Sequence, residues 1–279
     1  MECPQKRETP TGSSPAGMFD RFAPEYDEGF HTNRVGTFMR QVWGSILETH
    51  ARPGDRLLDV GCGTGEDAIR LAGHGCQVHC VDISPNMISI AREKAAHAGV
   101  GPAVTFECSS FEDPSLASKS LFDGVYSGFG SLNFTADLAN VLANLRQKVR
   151  EHGWLIAMVS NTASHWDILT RLLTGKPGWA FDRIRGVPTE ITSQHGSSGI
   201  RFFSRRFFLD TADEAGFSVL FSRPLGCLIP PAYLAETPLG SSIWLRMADR
   251  IERITHKLPV LRSSGDFLVV GLGRHTPEP

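Results

Sequence analysis

The chain has 279 residues, 28 Lys and Arg against 30 Asp and Glu, a formal net charge of −2 and 21% charged residues. That balance excludes a generally basic surface for nucleic acid, and no apolar run approaches the roughly 20 residues of a membrane span. The start, MECPQKRETPTGSSPAG, lacks a signal peptide's apolar stretch, so a cytoplasmic protein is expected, built as one elaborated α/β domain.

Residues 1–17, rich in Pro, Gly, Ser and Thr, predict a disordered tail ahead of a domain spanning 18–279. Phe38, Met39, Val42, Trp43, Ile46 and Leu47 fall at helical spacing, before a loop at 50–55. Strands are predicted at 56–61 and 77–82, with a helix over 64–73 between them. Ser84 and Pro85 provide an N-cap and a first-turn proline for a helix running to Ala98, which Gly99 stops. Strands follow at 103–108 and 122–127. Leu138, Val141, Leu142, Leu145 and Val149 then form a helical stripe that ends at 151–153, and a fifth strand covers 154–159.

Alternating elements of this length predict a doubly wound, seven-stranded, mostly parallel sheet with helices on both faces. Past residue 160 a helix is expected at 164–174, broken by the Gly-Lys-Pro-Gly run at 175–178. A further helix ends near Gly216, and strands at 217–222 and 267–272 close the sheet. Segments 161–200 and 226–264 are read as cap insertions over an acceptor site, and residues 18–50 as N-terminal lid helices.

Chemistry concentrates in residues 57–82, LLDVGCGTGEDAIRLAGHGCQVHCVD, a strand, a glycine turn, a helix and a strand ending in Asp82. Such a unit suits an adenine-ribose ligand, because glycines admit close backbone approach and the acid accepts from ribose hydroxyls. The spacing here is G-x-G-x-G rather than G-x-G-x-x-G, and Glu66 and Asp67 open the following helix. Those carboxylates would repel a pyrophosphate and favour a ligand with an ammonium and a sulfonium. The run Asp59-Val60-Gly61-Cys62-Gly63-Thr64-Gly65 resembles motif I of the class I S-adenosylmethionine-dependent methyltransferases, over roughly residues 18–160.

The resemblance implies S-adenosyl-L-methionine as cofactor and S-adenosyl-L-homocysteine as its product. It places Asp59 in the motif and the backbone of Gly61, Cys62 and Gly63 against the cofactor's aminoacyl and ribose part. It assigns Asp82 to the ribose, Ile83 to the adenine face, and Met87 either to the adenine or to the core. The family's usual acid after the third strand is replaced by Ser109, so Ser110 and Phe111 become the expected adenine contacts. Ser127, Gly128 and Phe129 should border the sulfonium, and Tyr26 matches the tyrosine that covers the bound cofactor.

Methyl transfer from a sulfonium is an in-line displacement in which alignment and water exclusion carry much of the catalysis. A base is needed only if the acceptor loses a proton. Candidates are His31, His165, His195 and Tyr233, with His31 preferred because it lies in the lid, while Asn133 could orient a polar acceptor. Arg201, Arg205 and Arg206 read as a solvated helix start or a site for an anionic acceptor. Cys76, His79 and Cys80 cannot converge on a metal, since 79 faces away from 76 and 80 on a strand; the six cysteines read as small buried thiols and no metal is expected. The leading expectation is methylation of a small-molecule acceptor by a monomer or homodimer, without nucleic acid or a membrane span. A protein or RNA methyltransferase, or a protein that keeps this fold and binds the cofactor without methyl transfer, are the alternatives.

Overall fold

The computed structural model describes residues 15–31, 33–117, 120–173, 183–193, 196–255 and 261–274. Helices α1 (Pro15–His31) and α2 (Arg34–His50) precede β1 (Arg56–Val60), α3 (Glu66–Gly73), β2 (Gln77–Asp82), α4 (Pro85–His97) and β3 (Val104–Cys108). Then come β4 (Phe122–Ser127), α5 (Leu138–Lys148), β5 (Val149–Ser160) and α6 (His165–Leu173). The chain ends with β6 (Thr189–Ser193), β7 (Gly196–Ile200), α7 (Arg205–Glu214), β8 (Ser218–Leu225), α8 (Ser242–Thr255) and β9 (Phe267–Gly273).

Seven strands form one sheet in the order β3-β2-β1-β4-β5-β9-β8. The first five run parallel, and β9 is antiparallel to both neighbours. Side chains alternate between two cores, as a pleat requires. In β5, Trp154, Ile156 and Met158 join α2 and α3 on one face, while Leu155, Ala157 and Val159 join α5 and α7 on the other. The order places β1 and β4 side by side with their loops diverging to opposite faces, and the crevice beyond their carboxyl ends is where such sheets hold ligands.

Several expectations shift. The segment assigned to the tail is already helical from Pro15. The fifth strand starts at Val149, before the predicted 154, because His152 takes a left-handed turn (φ 62°) that lets the chain stay extended through the bulge at the β4 pairing. Segment 161–200, read as helical cap, also contains the antiparallel β6–β7 hairpin. Cys76 and Cys80 are buried in the α2–α3 core, and His79 points to the opposite face against Thr105 and Glu107. Cys62, Cys76, Cys80 and Cys227 are free thiols, whereas Cys108 is disulfide-bonded, which corrects the expectation of a thiol there. Among the described residues, no helix is long and apolar enough to cross a membrane.

Candidate active site

The glycine turn is built as its spacing demands. Gly61, Gly63 and Gly65 have φ of 72°, 52° and 79°, a region that β-carbon sterics close to most residues. The turn is tied to β2 by Gly61 and Cys62, whose amides donate to the Val81 carbonyl at 2.8 and 3.0 Å. At the end of β2, Asp82 accepts from the Gly63 amide and the Ser84 amide, each at 2.9 Å. Each of its oxygens retains a further lone pair for a ribose hydroxyl. Next to it Ile83 is 41% exposed, an apolar plate beside the cleft.

Around this cradle three carboxylates lie close together, Asp59 buried and Asp67 and Asp82 half-buried. Asp59 is buried, and burial followed by the nearby Asp67 pushes its pKa well up. Burial also raises Asp67 and Asp82. Arg40 answers them, 3.6 Å from Asp67, with Arg70 further off, and the Trp43 indole donates to the same carboxylate at 3.0 Å. Three acids with two guanidiniums beside them suit a cationic ligand, so the residues present fit S-adenosylmethionine and disfavour a pyrophosphate.

Helix α1 covers the cradle. The Tyr26 ring lies 3.8 Å from where a β-carbon on Gly63 would stand. Burial pushes its phenol up to about 12, with Arg40 pulling the other way, so it stays protonated at any physiological pH. Two polar latches hold the helix. Asp20 accepts from Ser84 Oγ at 2.8 Å and from the Asn86 amide at 2.9 Å. Asp27 accepts from Thr64 Oγ1 at 2.6 Å and pairs with Lys94 at 2.7 Å. Asp27 belongs to the segment whose sequence resembles the family's N-terminal lid, though without a role of its own there, and nothing in the sequence singles out Asp20.

The remaining expected contacts divide. Cys62 is half-buried in the turn, and Ser127 is buried, its hydroxyl donating to the Val60 carbonyl at 2.9 Å and joining β4 to β1. Gly128 leaves no room for a side chain, since a β-carbon would meet Trp43 Nε1 at 2.9 Å. Met87 is only 1% exposed, which places it in the core rather than in the cleft. Phe111 packs against the α5–α7 core, and Ser110 Oγ accepts from the Glu112 amide at 3.2 Å, so both side chains serve their own loop.

The proposed bases fare differently. His31 closes α1 and its side chain lies outside the described residues, as does His195 entirely. His165 has both ring nitrogens engaged, by Ser264 Oγ and the Cys227 carbonyl. Asn133 is corrected outright: it is fully buried and its amide is spent on backbone. Its Nδ2 donates to the Ser160 and Arg201 carbonyls at 3.0 and 2.5 Å, and its Oδ1 accepts from the Ser160 amide at 2.8 Å. It clamps the ends of β5 and β7 together. Asn133→Ala should therefore cost about 1–3 kcal/mol of stability in urea unfolding, since the Ser160 amide and the Arg201 carbonyl lose this partner while the Ser160 carbonyl keeps the Phe203 amide. The arginine cluster also separates, with Arg205 on Ser222 and Arg206 paired to Asp210 on the surface of α7.

Two cavities open at opposite ends of the strands. One of about 370 Å3 lies at the amino ends of the strands, lined by Arg56, Gln77 and Phe122 among others, away from the cradle. The other, about 220 Å3, opens beyond the carboxyl end of β5 between Ser160, Asp167, Arg183, Phe202, Pro231, Tyr233, Asp266 and Phe267. Phe129, left-handed at φ 49° in a Gly-Phe-Gly turn, touches both regions: its ring lies 4.6 Å from Arg40 and 6.3 Å from the Phe267 ring of the cavity wall. Arg183 is held by Asp167 at 3.0 Å, the Asn161 carbonyl at 3.0 Å and the Phe202 ring at 4.3 Å. That guanidinium is a strut in the wall and is already neutralised.

A pH dependence follows from the carboxylates. Their pKa values lie above the ordinary range near ~4, so they lose charge on acidification earlier than exposed acids do. Titration calorimetry should show affinity for S-adenosylmethionine falling as pH drops from neutrality, and falling more steeply than for uncharged-sulfur S-adenosylhomocysteine.

Comparison with known proteins agrees with this geometry. The profile of the family described as "Methyltransferase domain" matches residues 57–153. The chain is 30% identical over 145 residues to a demethylmenaquinone methyltransferase of Symbiobacterium thermophilum, covering 50% of this chain and 57% of that one. It is 33% identical over 138 residues to a 2-phytyl-1,4-naphtoquinone methyltransferase of Trichormus variabilis, covering 48% and 58%. It thus spans under two thirds of the length of these curated relatives. A geranyl diphosphate C-methyltransferase from Streptomyces coelicolor, solved with S-adenosyl-L-homocysteine, shares the fold with a TM-score of 0.54 at 14% identity, over 84% of this chain and 77% of that one. Residues 57–153 are thus a methyltransferase domain, and with motif I, the sheet order and the acid ending β2 all in place the chain has the fold of the class I S-adenosylmethionine-dependent methyltransferases.

Proposed function

We propose that the protein transfers a methyl group from S-adenosyl-L-methionine to a small-molecule acceptor that is apolar or aromatic in part. The observation that carries this reading is the cavity of about 220 Å3 beyond β5, walled by Phe202, Phe267 and Tyr233, with Phe129 touching both this wall and Arg40 beside the cradle. Its size suits a metabolite ring rather than a folded macromolecule. The two relatives above are named for quinone acceptors, which supports the same class.

When bound, the cofactor supplies an electrophilic methyl on a sulfonium. The chain's own residues do the rest. The backbone at Gly61–Gly63, Asp82 and Ile83 hold the nucleoside end, and Asp59 and Asp67 favour positive charge at the other. Tyr26 and the latched α1 exclude water, which protects the in-line geometry on which the rate depends. Asp266, raised by burial and on the cavity wall, is the carboxylate to which an acceptor proton would pass.

The test is transfer of label from methyl-labelled S-adenosylmethionine to phenols, quinols and a fractionated small-molecule extract. Label should appear in an organic-extractable product with matching release of S-adenosylhomocysteine. Label appearing solely in protein or RNA, or cofactor binding with no turnover in any fraction, overturns the reading.

A further inference from the structure

The cap carries apolar surface that the fold does not bury. On α8, Ile243, Met247 and Ile251 are 68%, 50% and 46% exposed and follow one another at four-residue spacing along one stripe. The opposite stripe, Leu245, Ala248 and Glu252, is buried. The helix cannot roll to hide the first stripe, because Glu252 accepts from the amides of Gly226, Leu228 and Ile229 at 3.0, 2.5 and 2.8 Å. Trp244 Nε1 adds a bond to the Leu228 carbonyl at 3.3 Å.

Charge accompanies the apolar stripe. Arg246 and Arg250 are exposed and fall between its members. The two cap segments, 161–200 and 226–264, hold nine Lys and Arg against six Asp and Glu, while the rest of the chain holds 19 against 24. These two segments of a weakly acidic protein thus carry a net positive formal charge, and they bear most of the exposed large apolar side chains among the described residues. Leu169 and Leu172 on α6 are each 50% exposed. Tyr233, which lines the 220 Å3 cavity, bonds α6 through Thr170 Oγ1 at 3.0 Å.

We infer that the cap, through α8, docks on an anionic phospholipid surface, with Ile243, Met247 and Ile251 entering the acyl boundary and Arg246 and Arg250 meeting the headgroups. A helix lying in an interface needs this combination of a fixed apolar stripe and flanking cations. A second copy of the chain fits less well, since a two-fold contact of α8 on α8 sets these arginines against their own equivalents. The inference is independent of the methyl acceptor, although it would bring the cavity's mouth close to lipid-dissolved molecules.

The test is co-sedimentation of the full chain with vesicles of equal parts phosphatidylglycerol and phosphatidylcholine, or of phosphatidylcholine alone. Partitioning should favour the anionic vesicles by about tenfold or more and fall with added salt. The double change Ile243→Glu with Met247→Glu should lower it by about tenfold or more, and Arg246→Gln with Arg250→Gln should reduce it to the level on neutral vesicles. All four positions are exposed, so the thermal midpoint and S-adenosylhomocysteine affinity of both variants should match the parent, which separates failure here from failure of the cofactor site. No preference for anionic vesicles, or binding that both variants retain, overturns the proposal. So does a dimer in sedimentation velocity that Ile243→Glu with Met247→Glu dissolves while vesicle binding persists.

Discussion

Asp82→Ala should weaken binding of S-adenosylhomocysteine by at least about tenfold in calorimetry, with the circular dichroism spectrum unchanged. Two effects add. The carboxylate's free lone pairs are lost to the ribose, and hydrogen bonds to a charged acceptor contribute about 1.5–3 kcal/mol, which corresponds to tenfold or more. The Gly63 amide, held at 2.9 Å by Asp82, also loses its partner, so the turn becomes less ordered before any ligand arrives. Asp82→Asn separates the two, because its amide oxygen can still accept from Gly63 while one ribose bond is lost. An affinity unchanged in both variants would remove Asp82 from the site.

Trp43→Ala should destabilise the fold by about 3–5 kcal/mol in urea unfolding, the range for deleting a large buried aromatic. Trp43 is fully buried in the α2–α3 core, and its indole also steadies Asp67 at 3.0 Å while packing where Gly128 lacks a side chain. The loss is therefore both a cavity and one hydrogen bond fewer to the Asp67 carboxylate, which keeps its ion pair with Arg40. Trp43→Phe keeps most of the packing and should cost only about 1 kcal/mol or slightly more. Equal costs for the two would mean that the indole bond, not the volume, holds α2 in place.

Much of this arrangement can be read from the chain because local rules act alone there. Positive φ at Gly61, Gly63 and Gly65, the Ser84 cap and the continuous burial of β5 are each set by a few adjacent residues. Long-range pairings have no such signature. Asn133 looked like an active-site amide because it follows β4, yet its partners Ser160 and Arg201 are 27 and 68 residues away. Asp20 and Asp27 likewise gain their roles only when α1 meets residues more than 30 positions on. The β6–β7 hairpin escaped because a run such as Gly-Ser-Ser-Gly has no apolar alternation to mark a strand.

Helix α1 lies against both α4 and the hairpin strand β7. The element that roofs the cofactor is thus also a neighbour of the cap. Any movement of α1 that opens the Asp20 and Asp27 contacts must therefore also disturb its packing on β7, so the roof over the cradle and the hairpin are mechanically coupled.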